Sequence, residues 1–120
     1  MPVNNYKDLV VWQKSMDLVE QVYRLTSNFP KEEKYALTDQ LKRAVVSVPS
    51  NIAEGQQRAT DKDFAKFLSI ARGSNAEVQT QLEIAIRLGY LTSESILETM
   101  ELSEEIARML SSFISKLVNR

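Results

Sequence analysis

The chain has 120 residues, 43% of them hydrophobic and 26% charged, with three glycines and three prolines; this is the composition of a folded domain rather than a disordered segment. It contains no cysteine and no histidine, which removes disulfides, thiolate and imidazole metal ligands, and the Ser-His and Cys-His nucleophile pairs together. A net charge of −1, from 15 basic and 16 acidic residues, argues against a strong sequence-independent nucleic-acid binder, which needs a surplus of cations.

Four amphipathic stretches follow one another within a single domain, separated by short turn signals. The first spans residues 8–27. Leu9, Trp12, Met16, Val19 and Tyr23 recur every three or four positions and make one helix face. A second apolar set, Val11, Leu18, Val22 and Leu25, fills the sector beside it. Asn5 or Asp8 is placed to cap this helix, and Asn28-Phe29-Pro30 ends it, because a proline disfavours helical geometry in the residue before it.

The second stretch spans residues 34–57, with Leu37, Leu41, Ala44, Val45, Val48 and Ile52 in one stripe. Pro49 falls inside it, where a proline removes one helical hydrogen bond. The stripe keeps its phase from Val45 to Ile52, so one continuous, kinked helix is predicted, with Gly55 as its stop. The third stretch spans residues 61–88. Thr60 and Asp63 form a capping-box pattern, and Phe64, Phe67, Leu68, Ala71, Val78, Leu82, Ala85 and Ile86 face inward. Gly73 interrupts the opposite side, and Gly89 is placed to close the helix. The fourth stretch spans residues 93–118, capped by Thr92, with Ile96, Met100, Ile106, Leu110, Phe113, Ile114 and Leu117 inward. Glu94, Glu98, Glu101 and Glu105 form an acidic ladder outside.

Helices of matched length joined by short turns predict an all-α fold, an antiparallel up-down-up-down four-helix bundle. The apolar arcs of the first and fourth helices exceed the roughly 100° stripe that a bundle helix buries. Self-association through that surplus is expected, at Val11, Leu18, Val22, Leu25, Leu102, Met109 and Phe113. The first residues, Met1 to Asp8, carry no apolar run, and no stretch is apolar enough to span a bilayer, so neither a secretory signal nor a membrane partner is expected and the chain reads as cytoplasmic.

No cofactor, metal or small-molecule substrate is implied, since no phosphate-binding glycine pattern occurs and a di-iron bundle needs histidine. One polar cluster stands out: Arg43, Asn51, Glu54 and Arg58 from the second stretch, with Arg72 from the third. Three readings stay open for it: a solvated face of i,i+4 pairs, an interface network that sets oligomer register, and a phosphate or RNA contact.

The segment Ser47 to Gly55, reading SVPSNIAEG and followed by Arg58, is distinctive, as are FLSIARGS from Phe67 to Ser74, the early Trp12 and the Leu88-Gly-Tyr-Leu91 turn. Together these resemble the four-helix-bundle family encoded in intervening sequences of bacterial 23S rRNA genes, over about Tyr6 to Leu117. The resemblance implies a four-helix bundle, a ring-like homopentamer and no enzymatic activity. A related group, the accessory proteins of diversity-generating retroelements, implies nucleic acid as a candidate partner. Within the motif, Asn51, Glu54 and Arg58 would be the polar signature. The function expected is a non-catalytic homo-oligomeric scaffold or adaptor associated with ribosomal RNA or its processing; the alternative is a protein–protein interaction module that does not touch nucleic acid.

Overall fold

A computed structural model describes residues 5–119. It contains four long helices, α1 (Val10–Thr26), α2 (Leu37–Gln56), α3 (Asp61–Arg87) and α4 (Leu97–Val118), with single 3-10 turns at Tyr6–Asp8, Lys31–Glu33 and Glu94–Ile96. The molecule measures 46 × 25 × 20 Å, as expected of helices rising 1.5 Å per residue and lying side by side.

Each helix packs on its sequence neighbour, and α1 also closes on α4, so α1 and α3 lie across one diagonal and α2 and α4 across the other. Cross-helix contacts run in opposite directions. Ser47 meets Ser74 while Gly55 meets Phe64 and Phe67; Lys14 meets Glu105 while Gln21 meets Thr99. All four helices are therefore antiparallel to their neighbours, which is the predicted bundle.

The helix ends follow the local chemistry, with some shifts. Asn5 accepts from Lys7 N and caps the first 3-10 turn, so α1 proper begins only at Val10. Thr60 Oγ1 accepts from Asp63 N at 3.1 Å as predicted. Gly89 closes α3 with φ of 80°, the left-handed geometry that glycine adopts without steric cost. α2 starts three residues later than the pattern suggested, because residues 31–33 form a separate 3-10 turn and the Glu33 carboxylate then accepts from Leu37 N. α2 runs continuously through Pro49, which is buried.

Gly55 does not stop α2. It lies inside the helix, and a Cβ there would stand 2.8 Å from Phe67 Cβ and 2.9 Å from Phe64 Cδ1. Its missing side chain lets α3 approach closely.

Leu18, Val22, Leu41, Val45, Val48, Ile52, Leu68, Val78, Leu82, Ile106 and Leu110 are fully buried and come from all four helices. This corrects the predicted facing of α1. Val11, Leu18 and Val22 were expected at an oligomer interface, yet they point into the bundle, whereas Met16 and Tyr23, expected inside, are exposed. Both sectors recur at helical spacing, but Trp12 and Tyr23 carry polar atoms that favour a partly exposed position. Val11-Ser15-Leu18-Val22 is the one placed inward, because its smaller side chains fit the α2/α4 seam while the bulkier Trp12, Met16 and Tyr23 remain toward the outside.

At the end of the bundle that holds the α1–α2 and α3–α4 turns, Tyr90 packs beside Phe29 with ring centroids 5.5 Å apart. The Tyr90 hydroxyl donates to Glu33 Oε2 at 2.7 Å.

Two outcomes follow. Gly55→Ala is expected to destabilise the fold by about 1–3 kcal/mol through overpacking, read as a lower thermal midpoint. The Tyr90 phenol is raised above its ordinary 10.0 by the hydrogen bond to Glu33, then by desolvation and the charges of Glu33 and Glu32. A raised phenol pKa favours the protonated form in the folded state. Its contribution is therefore complete below pH 10 and is lost as pH rises through the folded value. Tyr90→Phe should remove that part of the alkaline dependence in urea-denaturation midpoints measured across the range.

Candidate functional site

The five residues of the polar cluster do not converge. Arg43 Nε donates to Asp39 at 2.9 Å, and Arg58 pairs with Glu54 at 3.5 Å while its guanidinium lies 4.7 Å over the Phe67 ring. Fifteen residues separate the two arginines, roughly 22 Å along the helix direction. Arg72 points to the other side of α3 and donates to Ser111 on α4 at 3.4 Å. Asn51 turns inward and donates to both the carbonyl and the hydroxyl of Ser47, each at 2.8 Å. The arginine and glutamate pairs are solvent-exposed and local, of the kind that contributes little to stability. The arrangement matches the reading of a solvated face with i,i+4 pairs, and Asn51 belongs to the helix packing.

The polar groups that the core does organise are different ones. Asn75 and Ser103 are both completely buried. Asn75 Nδ2 donates to the Ser103 carbonyl at 2.8 Å, and the Ser103 hydroxyl donates back to Asn75 Oδ1 at 2.7 Å. Gln79 Nε2 adds a bond to the Ser103 hydroxyl at 2.9 Å. Between α2 and α3, the Ser47 and Ser74 hydroxyls meet at 2.8 Å. Between α4 and α1, Thr99 donates to Gln21 at 2.7 Å. A pattern did announce these residues. Leu68, Ala71, Asn75, Val78 and Leu82 are spaced 3-4-3-4, as are Ile96, Thr99, Ser103, Ile106 and Leu110. A small polar residue inside a heptad stripe is a register signal, and counting apolar residues alone passes over it.

Among the described residues no group of three or more Asp or Glu is placed to hold a metal ion, and no helix is long and apolar enough to cross a membrane.

Two grooves on the outer surface of the described residues differ in character. Between α1 and α2 lies an apolar one of about 370 Å³, lined by Tyr6, Trp12, Met16, Val19, Val46, Pro49, Ser50 and Ala53. The Tyr6 ring stands edge-on to Trp12, with centroids 5.4 Å apart. Between α1 and α4 lies a larger, acidic one of about 680 Å³, with Asp17, Glu20, Glu98, Glu101, Glu104 and Glu105 around Arg24 and Arg108. Of the residues expected to mediate self-association, Val11, Leu18 and Val22 are buried in the protomer and excluded from any surface. Leu25, Leu102, Met109 and Phe113 are half-buried. Phe113 is partly spent inside the bundle, against Phe64 at 5.0 Å, while Met109 and Phe113 still line an open patch between Arg108 and Lys116.

Asn75→Ala removes the acceptor of the buried Ser103 hydroxyl proton and the side-chain donor to the Ser103 carbonyl, leaving the Gln79 bond, and is expected to cost about 1–3 kcal/mol. Replacing both, Asn75→Leu with Ser103→Ala, should recover most of that stability, because the desolvated polar groups are gone. Urea denaturation of the three proteins measures both outcomes.

Comparison with known proteins places this arrangement. Residues 7–112 match the sequence pattern of a family described as 23S rRNA-intervening sequence protein. A solved structure from Bacteroides thetaiotaomicron VPI-5482, a protein of unknown function from the S23 ribosomal protein family, superposes with a TM-score of 0.78. It is 30% identical and the match covers 88% of this chain and 98% of that one. No curated protein matches the sequence.

Proposed function

The chain belongs to the 23S rRNA-intervening sequence protein family, and from that premise we propose that it is a non-catalytic scaffold of the cytoplasm, assembled from copies of itself. The observation that carries this reading is the apolar α1/α2 groove. Trp12, Val19, Pro49 and Ala53 line its walls, and Met16 and Val46, each 40% exposed, stand at its mouth. Contiguous apolar surface of this kind marks an interaction site when it is rimmed by polar residues. The chain has no histidine or cysteine for imidazole or thiolate chemistry. Five copies is the number we propose, following the family resemblance.

A second reading, contact with ribosomal RNA, draws support from the family's description. Charge weighs against it: Arg43 and Arg58 are engaged by their own helix, and Arg72 faces elsewhere. Protein–protein assembly is therefore the primary function and RNA the secondary one.

Light scattering on the purified chain at micromolar concentration is expected to give a multiple of 13.7 kDa, with five as the multiple proposed; a monomer would sink the scaffold reading. Fluorescence anisotropy with a 23S rRNA fragment tests the second reading. Binding that falls steeply with salt and disappears in the Arg43→Glu, Arg58→Glu, Arg72→Glu protein would favour RNA. If that protein instead changes its oligomeric mass, the cluster is part of the assembly.

A further inference from the structure

Gln81 Oε1 is a buried side-chain oxygen that has no hydrogen-bond partner among the described residues. The residue as a whole is 9% exposed. Taking an amide oxygen out of water without giving it a donor costs free energy that the fold does not recover. Asn75 and Ser103, buried on the same helix pair, answer each other, so an unanswered group is not a general feature of this core. It asks for a donor from outside the chain.

Gln81 lines an open notch of about 280 Å³ between α2 and α3, with Gln40, Arg43 and Ser47 on one wall and Ser74 and Glu77 on the other. The antiparallel register produces this grouping. Ser47 meets Ser74, and counting back along α2 while counting forward along α3 brings Ala44 level with Glu77 and Gln40 level with Gln81. Ala44 is too short to fill the space between the walls. Arg43 stands at the rim, but its Nε is held by Asp39 at 2.9 Å. Glu77 is exposed and takes part in no ion pair among the described residues. The notch therefore has two carboxylates beside it against one guanidinium. Its two unengaged groups, a buried carbonyl oxygen and a carboxylate at the rim, are both acceptors.

We infer that this notch is a binding site for the head group of a small alkylammonium ligand. A primary ammonium is a compact cation with three N–H donors and no acceptor. One N–H donates to the Glu77 carboxylate as a charge-assisted bond and a second to Gln81 Oε1, which meets it by a partial turn about the last, soft torsion of the side chain. The third remains for water, and the alkyl tail leaves through the open side. A divalent metal ion fits poorly, because one carboxylate and one amide oxygen fall short of the six or more oxygens that calcium takes. An anion would be drawn by Arg43 but opposed by Glu77 and by the unpaired carbonyl. The site belongs to one protomer and does not depend on the assembly reading.

The test is a titration of the full-length chain with n-butylamine at neutral pH, where the amine is protonated, followed by the backbone NMR shifts of residues 40–44 and 74–81. Saturable binding with a Kd of about 1 mM is expected for one small head group. Gln81→Met, which keeps the shape and removes the amide, and Glu77→Gln should each weaken it by about tenfold. Glu83→Gln, on the opposite side of α3, should leave it unchanged. Tetramethylammonium, with the same charge and no N–H, should not bind. Gln81→Met should also melt no lower than the wild type, because the oxygen it removes has no partner to lose. Nα-Acetyl-lysine amide presents the same head group on a peptide frame: its binding extends the site to a protein side chain and its exclusion confines the site to free amines, and both uphold the ammonium reading. Shifts that do not saturate, butylamine binding that survives Gln81→Met and Glu77→Gln, or tetramethylammonium or acetate binding as tightly would overturn the proposal. So would a Gln81→Met protein that melts clearly lower, since the fold itself would then be using the amide.

Discussion

The hydrogen bonds exchanged by Asn75 and Ser103 are the constraint around which the bundle is organised. Apolar side chains attract one another without direction, so a purely aliphatic seam between α3 and α4 would tolerate a slip by one turn. Two buried groups that satisfy each other in one register do not tolerate it, because any slip leaves both desolvated and unpaired. The Ser47–Ser74 contact and the close approach of Phe64 and Phe67 to Gly55 do the same for α2 against α3. Thr99 and Gln21 extend the restraint to α1. The register of all four helices is thus set by small and polar residues placed at core positions.

Register in turn decides what the molecule shows to the outside. With α2, α3 and α4 held in place, α1 lies in the seam between α2 and α4 with its smaller side chains inward. Trp12, Met16 and Val19 then meet Val46, Pro49 and Ala53 at an open groove. On the far side, α3 is left with Ile70, Ile84 and Leu88 toward solvent. Dispersed and internally paired arginines are poorly suited to tracking a phosphate backbone.

The helices, their approximate ends and the antiparallel order were legible because they depend on local periodicity and on turn chemistry at Pro30, Thr60 and Gly89. The inner stripes of α2 and α3 were legible for the same reason. The site was much less so. Arg43, Arg58 and Arg72 are of a residue type suited to phosphate, yet i,i+4 carboxylates pair with the first two, Arg72 turns to Ser111 and Asn51 turns to Ser47. Helical spacing reports which residues share a face; it does not report which partner a flexible charged side chain finds. Asn75, Ser103 and Gln81 carried their information as polar interruptions of an apolar stripe, a pattern that a search for hydrophobic residues discards.

Composition and periodicity alone determined that this chain is all-helical, that it lacks the groups for imidazole or thiolate chemistry, and that α1 bears more apolar surface than one seam can bury. Only the tertiary structure decided which sector of α1 goes inside. Both Val11-Leu18-Val22 and Trp12-Met16-Tyr23 recur at helical spacing; the first set is wholly aliphatic and the second carries the polar atoms of Trp12 and Tyr23, and the choice between them also turns on volume and fit against α2 and α4, quantities that exist only once the other helices are in place.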